Sequence, residues 1–460
     1  MLLIAPVADK RLLSSDGAEP EGIGPRLRRV RSEIPAVTHV DNSARVQTVD
    51  ERHGRFFGLL NAFYCRTGCP CLVNTSFNLS WEPIVLTPTE AYRSFMQSDM
   101  DVLVLGDFVL LKPEQHLGMQ AAASDQPVPP TLNPWADPIS REPLIAGRKS
   151  LTNPVTGASY PIENGIAKLF VPESATLAPG PDVTEIVHQF YEETPFPNYD
   201  DIDNVRALLE KGRAGTFARL LNDQIPFGAS VLEIGCGTGQ LTSFLAIANR
   251  AVLGTDICWN SLNLAEQFKR EQGITRATFA QMNLFRPALK NDFFDVVISN
   301  GVLHHTSDCR AAFGTINKLV KPGGYLIVGL YHWYSRKLVH YPRRQLVRWV
   351  PALAPVLDPH FAKIRSQPKH DAWFRDQYEH PHESCHTIDE VLEWMAEDRL
   401  DFINSVPKPN GGVALSSDET LFEPRSTGSG WSRFVSQLAH VPSGYREGGF
   451  FIMIARRRPI

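Results

Sequence analysis

Three glycines at alternate positions, Gly235, Gly237 and Gly239, follow the apolar run Ser230-Val-Leu-Glu-Ile. Lacking side chains, they let a strand-to-helix turn bring its backbone close to a ligand. A second apolar run, Ala251-Val-Leu-Gly-Thr, ends on Asp256 about 20 residues later, where a carboxylate can accept hydrogen bonds from both hydroxyls of a ribose. Together the two features predict an adenosine-type ligand. A dinucleotide fingerprint does not fit, because G-x-G-x-x-G needs glycine at 240 and the chain has Gln240. Cys65, Cys69 and Cys71 form half of a possible metal site, but no second Cys or His pair follows at zinc-ligand spacing. Buried thiols are the expected reading.

These residues need a parallel sheet to hold them. After the first two runs come Phe279-Ala-Gln-Met-Asn-Leu, then the buried-strand pattern Phe294-Asp-Val-Val-Ile-Ser-Asn, then Gly301-Val-Leu-His-His. Leu319-Val-Lys-Pro-Gly-Gly-Tyr-Leu-Ile-Val-Gly-Leu supplies a turn and a fifth strand. This strand and helix alternation starts near residue 182. The chain ahead of it divides by composition. Residues 1–114 read as a mixed α/β block, 115–143 as a Pro/Ala-rich linker, and 144–173 as a small β island with turn signals at Asn153-Pro154 and Asn164-Gly165.

With 460 residues the chain is long enough for about three domains at roughly 150 residues each. Apolar residues are 43% and charged residues 21%, the balance of a globular protein. Lys and Arg number 46 against 50 Asp and Glu, which argues against a dedicated nucleic-acid binder. No apolar run approaches the ~18 residues of a membrane span. Asp9 and Lys10 interrupt the apolar start too early for a signal peptide, so a cytoplasmic protein without a disulfide framework is expected.

The ordered set of motifs over residues 229–330 resembles the core of the class I S-adenosylmethionine-dependent methyltransferases. The resemblance implies an α/β fold with a seven-stranded doubly wound sheet over 182–458, in which Asp401-Phe-Ile-Asn-Ser-Val and Gly448-Gly-Phe-Phe-Ile-Met-Ile-Ala-Arg are the sixth and seventh strands. It implies S-adenosylmethionine as cofactor. Glu233 and the turn of Gly235, Gly237 and Gly239 would hold the methionine portion, and Asp256 the ribose. Asn283, with Met282 and Leu284, would meet the adenine, the Asn283 carbonyl taking the place of the Asp found in many relatives. Ser299 and Asn300 would close the site near the sulfonium.

Methyl transfer needs an aligned nucleophile and, for a hydroxyl or amine, a base. The candidates stand at carboxyl ends of strands: His305 foremost, then His304, then Tyr331 with His332 beside it. Histidine at the His304 and His305 positions often packs under the cofactor in this family. About 70 residues, 331–400, separate the fifth and sixth strands and read as a lid. Its first stretch, Tyr331 to Trp349, carries five Lys or Arg and no acid among many aromatics. A membrane-surface helix is one reading; Pro342 interrupts it, and a lid with a solvated basic face is preferred. Farther along, His380, His382 and His386 read as substrate contacts or packing, because a sulfonium donor needs no metal; Thr387 or Asp389 would cap the helix that follows. Tyr191 and Tyr199 precede the first core helix, where relatives often cover the cofactor.

The island at 144–173 resembles the zinc-ribbon-like segments ahead of some methyltransferase cores, but it has no cysteine, so no zinc is implied. The first block resembles the C-terminal end of the carbamoyltransferases that decorate nodulation signals and antibiotics. The stretch Ile34 to Val49, the stretch Thr67 to Pro88 with Asn74 and Asn78, and Asp101-Val-Leu-Val-Leu-Gly carry the match. Arg45 stands where an anionic carbamoyl donor would be bound, but Leu79-Ser80-Trp81 replaces the family's Val-Arg-Gly and removes a charge. The block is expected to be inactive in carbamoyl transfer. Three functions follow: a methyltransferase for a small molecule or glycoside in specialised metabolism; an accessory protein docking to a carbamoyltransferase partner; or a bifunctional carbamoyl and methyl transferase.

Overall fold

The computed structural model describes residues 3–13, 29–78, 84–96, 98, 100–115, 133–172, 183–193, 202, 204–248, 250–350, 353–358, 373–411, 415–416, 419–444 and 449–459. The chain divides into two compact units, Met1–Asn78 and Leu79–Ile460. The division falls inside the block expected over 1–114. In the first unit, strands β1 (Leu3–Pro6) and β2 (Ser43–Val46) pair antiparallel, and the helix Arg55–Thr67 has no buried residue. Arg45 lies on β2 opposite Ile4 and is exposed, whereas Leu79-Ser80-Trp81 falls outside the described residues. The three cysteines expected to be buried are exposed: Cys65 is on the helix, and Cys69 and Cys71 are on the extended backbone after it. A helix without a buried face offers them nothing to pack under.

The second unit begins with the helix Pro88–Met96 and a hairpin of β3 (Val102–Leu105) and β4 (Phe108–Leu111). Its main element is a sheet of eleven strands. The central ones, β9 (Ser230–Ile234), β10 (Ala251–Asp256), β11 (Ala277–Gln281), β12 (Phe294–Asn300) and β13 (Val320–Tyr331), are parallel. Beyond β13, β15 (Phe450–Arg457) pairs antiparallel, and β14 (Leu400–Val406) pairs antiparallel with β15. The order β14-β15-β13-β12-β9-β10-β11 is the doubly wound arrangement that the sequence implies.

The island adds to this sheet instead of standing apart. Strands β5 (Ile145–Ala146), β6 (Ser150–Thr152), β7 (Ser159–Glu163) and β8 (Ile166–Lys168) form an antiparallel meander. Strand β8 then runs parallel to β11, with Ala167 opposite Ala280 and Lys168 opposite Gln281. A buried carboxylate braces the meander. Asp137 accepts from Asn153 Nδ2 at 2.9 Å, from the Tyr160 hydroxyl at 3.1 Å, and from the backbone N–H groups of Ile139 and Ser140. Residues 133–143, which composition assigns to the linker, are therefore built into the domain: Trp135 pairs with Leu289, and Arg141 reaches the carbonyl of Leu289 at 2.7 Å.

Successive side chains of a strand point to opposite faces, so the sheet carries two cores. Leu232, Ile234, Val297 and Leu326 join the helices Cys309–Asn317 and Ile388–Glu397 through Phe313, Ile316, Val391 and Trp394. Val231, Val252, Val296 and Ile298 join the opposite layer through Leu208, Leu221, Phe244 and Leu262. From β9 the chain moves one way to β10 and β11, and from β12 the other way to β13. The β9/β12 junction is a topological switch point, where a crevice opens at the carboxyl ends of the strands.

Candidate active site

A cavity of about 520 Å³ opens at that switch point. After β9, Gly235 and Gly237 have φ of +70° and +52°, the left-handed region that favours glycine. A Cβ on Gly235 would stand 2.2 Å from Val302 Cγ2, so the turn fits only without a side chain. Backbone N–H groups of Gly235 and Cys236 bond the Thr255 carbonyl at 2.7 and 3.0 Å and fix the turn against the end of β10. Asp256 receives Gly237 N–H at 2.7 Å on Oδ2 and Cys258 N–H at 2.9 Å on Oδ1. Each of its oxygens keeps a lone-pair direction for a further donor. Burial pushes the Asp256 carboxyl above its usual range. Glu233 lies beneath the turn and outside the cavity wall; its Oε2 accepts from Thr242 Oγ1 at 2.5 Å, and burial pushes it up to about 7. Gly239 begins the helix Gln240–Ile247 and does not line the cavity.

Met282, Asn283 and Leu284 line the cavity after β11. Asn283 Oδ1 accepts from Phe285 N–H at 2.9 Å, which leaves the buried Nδ2 donor without a partner. A backbone N–H can only donate, so the amide orientation is fixed. The expected carbonyl acceptor of Asn283 already takes this one hydrogen bond and keeps a second lone pair, and the same side chain adds an unpartnered Nδ2 donor in the wall. Asn300 lines the cavity, whereas Ser299, with a buried and unpartnered Oγ, lies behind it.

Tyr191 lines the cavity from the helix Val183–Glu193, which is anchored where Glu192 Oε1 accepts from Trp259 N–H at 2.5 Å. Tyr199 falls outside the described residues.

Among the candidate bases, His305 and Tyr331 line the cavity. His305 Nδ1 lies 2.9 Å from the His382 carbonyl oxygen. A carbonyl only accepts, so Nδ1 holds the proton and Nε2 is the basic nitrogen. His304 is set apart: fully buried, with both ring nitrogens unpartnered, it packs on Tyr331 with ring centroids 3.8 Å apart. Burial holds it well below its usual pKa, so it is a neutral packing ring. His380 lies under His305 at 3.7 Å and is pushed down to about 2 by burial. His332 bonds Ser335 at 2.9 Å and is pushed down to about 4 by burial; His386 bonds Ser384 and Glu390. None of His304, His332, His380 or His386 reaches the cavity wall.

The lid supplies wall residues that the sequence did not single out, Trp373 and Gln377, and the last strand adds Phe450. Gln377 Oε1 accepts from Arg336 at 3.0 Å, which turns Nε2 toward the Tyr331 hydroxyl at 3.4 Å. The buried Arg336 also pairs with Glu383, and its guanidinium carbon lies 3.5 Å from the centre of the Tyr331 ring. Of the two expected caps, Thr387 is the one that accepts from Glu390 N–H.

Residues 232–328 match the family model described as a methyltransferase domain. The core is a methyltransferase domain. Residues 1–112 match the model described as the carbamoyltransferase C-terminus. An uncharacterized protein of Synechocystis, sll1178, is 49% identical over 117 residues, 25% of this chain and 19% of that protein. Nodulation protein NolO of Bradyrhizobium diazoefficiens is 42% identical over 89 residues, 19% of this chain and 16% of that protein. The ubiquinone biosynthesis O-methyltransferase of Haemophilus ducreyi is 33% identical over 106 residues, 22% of this chain and 45% of that protein. The chain spans less than half the length of each of these relatives.

The methyltransferase core implies S-adenosylmethionine, and the residues present fit it. The glycine cradle admits no Cβ at Gly235, Asp256 faces the cavity with acceptor capacity to spare, and Asn283 holds an unpartnered donor in the wall.

Proposed function

We propose that the protein methylates a hydroxyl oxygen of a small molecule with a flat apolar face, using S-adenosylmethionine, in specialised metabolism. One observation carries this reading: a single cavity joins the carboxylate of Asp256 to His305, whose tautomer leaves Nε2 basic. The O-methyltransferase relatives support oxygen as the acceptor atom.

When bound, S-adenosylmethionine supplies a methyl group activated by a sulfonium. Asp256 would hold the ribose hydroxyls, Asn283 Nδ2 would donate to a ring nitrogen of the adenine, and Glu233 under the glycine turn would offset the ammonium charge of the methionine portion. His305 Nε2 takes the proton of the acceptor hydroxyl, and the His382 carbonyl steadies the imidazolium that forms. Tyr331, Trp373 and Phe450 give the acceptor apolar faces and exclude water. The test is release of S-adenosylhomocysteine with a panel of phenols and glycosides. Turnover with a phenol that falls about 10²- to 10⁴-fold in His305→Ala is expected. Turnover unaffected by that change would overturn the assignment.

The block at 1–112 is proposed to have no carbamoyl transfer of its own, since Leu79-Ser80-Trp81 stands where the family's Val-Arg-Gly supplies a cation. The helix Arg55–Thr67, with Phe56, Leu59 and Tyr64 exposed, supports a second role for the block as a docking module for a separate carbamoyltransferase chain. Carbamoyl-phosphate-dependent ATP turnover by the purified protein would refute the first of these readings.

A further inference from the structure

The lid opens with one continuous helical stretch, Trp333–Ser335, a π-turn at Arg336–His340, and Tyr341–Trp349. Its five basic residues would be expected to face solvent. The structure does the reverse with two of them. Arg336 and Arg343 are buried, and Arg344 is tied to the carbonyls of Tyr378 and His380. The outward stripe is Trp333, Leu338, Pro342, Leu346, Trp349 and Val350, spaced by one helical turn each, with the longer step at the π-turn. Trp349 is 85% exposed and Leu338 56%. Only Lys337 and Arg348 accompany them as exposed cations.

The helix Gly430–Gly444 packs beside this stretch and extends the same surface. Trp431 is 73% exposed, with Val435 and Leu438 at i+4 and i+7. Ring contacts run from Trp333 to Tyr334 at 5.1 Å, Tyr334 to Phe434 at 5.9 Å, and Phe434 to Trp431 at 5.7 Å. Neither segment contains an aspartate or glutamate. Asp389, the acid that meets the second helix, is paired with Arg433 at 2.6 Å.

An exposed apolar stripe of this length is unusual on a protein that stays in water. Its chemistry separates the possible occupants. Indole rings prefer the boundary between hydrocarbon and headgroup, and Lys or Arg beside them extend toward phosphate. Two helical segments with cations and tryptophans, no acid of their own, and the neighbouring Asp389 neutralised by Arg433 complement an anionic bilayer. No helix among the described residues is long and apolar enough to cross a membrane, so the contact lies in the interface plane. We propose that the two helices Trp333–Trp349 and Gly430–Gly444 form a docking face for an anionic lipid surface. Tyr331, two residues ahead of the first helix, lines the cavity, so that helix of the docking face adjoins the acceptor wall in the chain.

The test uses the full chain and reads binding, not turnover. Sedimentation with vesicles of pure phosphatidylcholine is compared with vesicles of equal phosphatidylcholine and phosphatidylglycerol. The proposal expects binding to the anionic vesicles with a blue shift of tryptophan emission, and little binding to the neutral ones. Trp349→Ala with Trp431→Ala should weaken binding at least about tenfold. Lys337→Glu with Arg348→Glu should weaken it by more than about fivefold per residue, because each cation near an anionic surface contributes about that factor. All four positions are exposed, and unchanged circular dichroism and melting would show that the variants fold. No sedimentation of the wild type, or equal binding by all variants, would overturn the proposal. So would a concentration-dependent dimer dissolved by the tryptophan changes, since a second copy would then cover the face.

Discussion

Glu233 gives the sharpest quantitative test. Its carboxyl ionises at about 7 in the folded protein, against 4.5 for an ordinary glutamate, because burial disfavours the charge more than Thr242 supports it. A folded pKa above the unfolded one means that the folded state binds more protons between the two values. Stability contributed by this group is therefore fully present below about pH 4.5 and is lost as pH rises through about 7. The separation of about 2.5 units corresponds to about 3 kcal/mol at pH 8. Glu233→Gln keeps the shape, accepts from Thr242, and cannot ionise. The variant should be more stable than the wild type at pH 8 by up to about 3 kcal/mol and by only about 1 kcal/mol at pH 5. The assay is denaturant unfolding followed from pH 5 to pH 8. The cofactor carries positive charge that would favour the ionised form, so wild-type binding at pH 6 should release protons, seen by calorimetry in buffers of different ionisation enthalpy. The variant should bind more weakly and release fewer protons. Parallel stability curves for the two proteins across this range would refute the reasoning.

Other outcomes follow from single contacts. Asn283→Ala removes the partner of Phe285 N–H and the wall donor, and should weaken S-adenosylmethionine binding by about 1–3 kcal/mol in a titration. Gly235→Ala should abolish cofactor binding, with Val302→Ala restoring it only in part, because the clash is relieved while the positive φ stays. Asp137→Ala strands Asn153 and Tyr160 and should cost about 1–3 kcal/mol in unfolding experiments without changing the cavity.

The parts of the site held by short sequence separations were legible in advance. The turn from Gly235 to Gly239 follows its own strand, and Asp256 ends the next one, so spacing alone placed both at the same sheet edge. What depends on tertiary contact was not legible. Two residue pairs join β8 to β11, and no local pattern announces them. Gln377 is held by the buried Arg336 and Trp373 by Asp358, contacts between distant parts of the lid. His304 and His305 are adjacent in sequence, and the 3₁₀ turn Leu303–His305 sends one ring under Tyr331 and the other to the cavity wall. The charge pattern of 331–349 suggested a basic outer face, but composition does not say which side of a helix packs inward. The cysteines failed for a related reason: thiols are buried on average, yet the helix beside these three has no buried face.

Calorimetric titration of S-adenosylmethionine into the full chain and into Asp256→Ala asks whether the cavity holds the cofactor through this carboxylate. One site per chain is expected in the wild type and loss of measurable binding in the variant, whose fold should persist because the change removes a partly desolvated carboxylate at the end of β10. Absence of binding by the wild type, or equal affinity in the two proteins, would contradict that expectation.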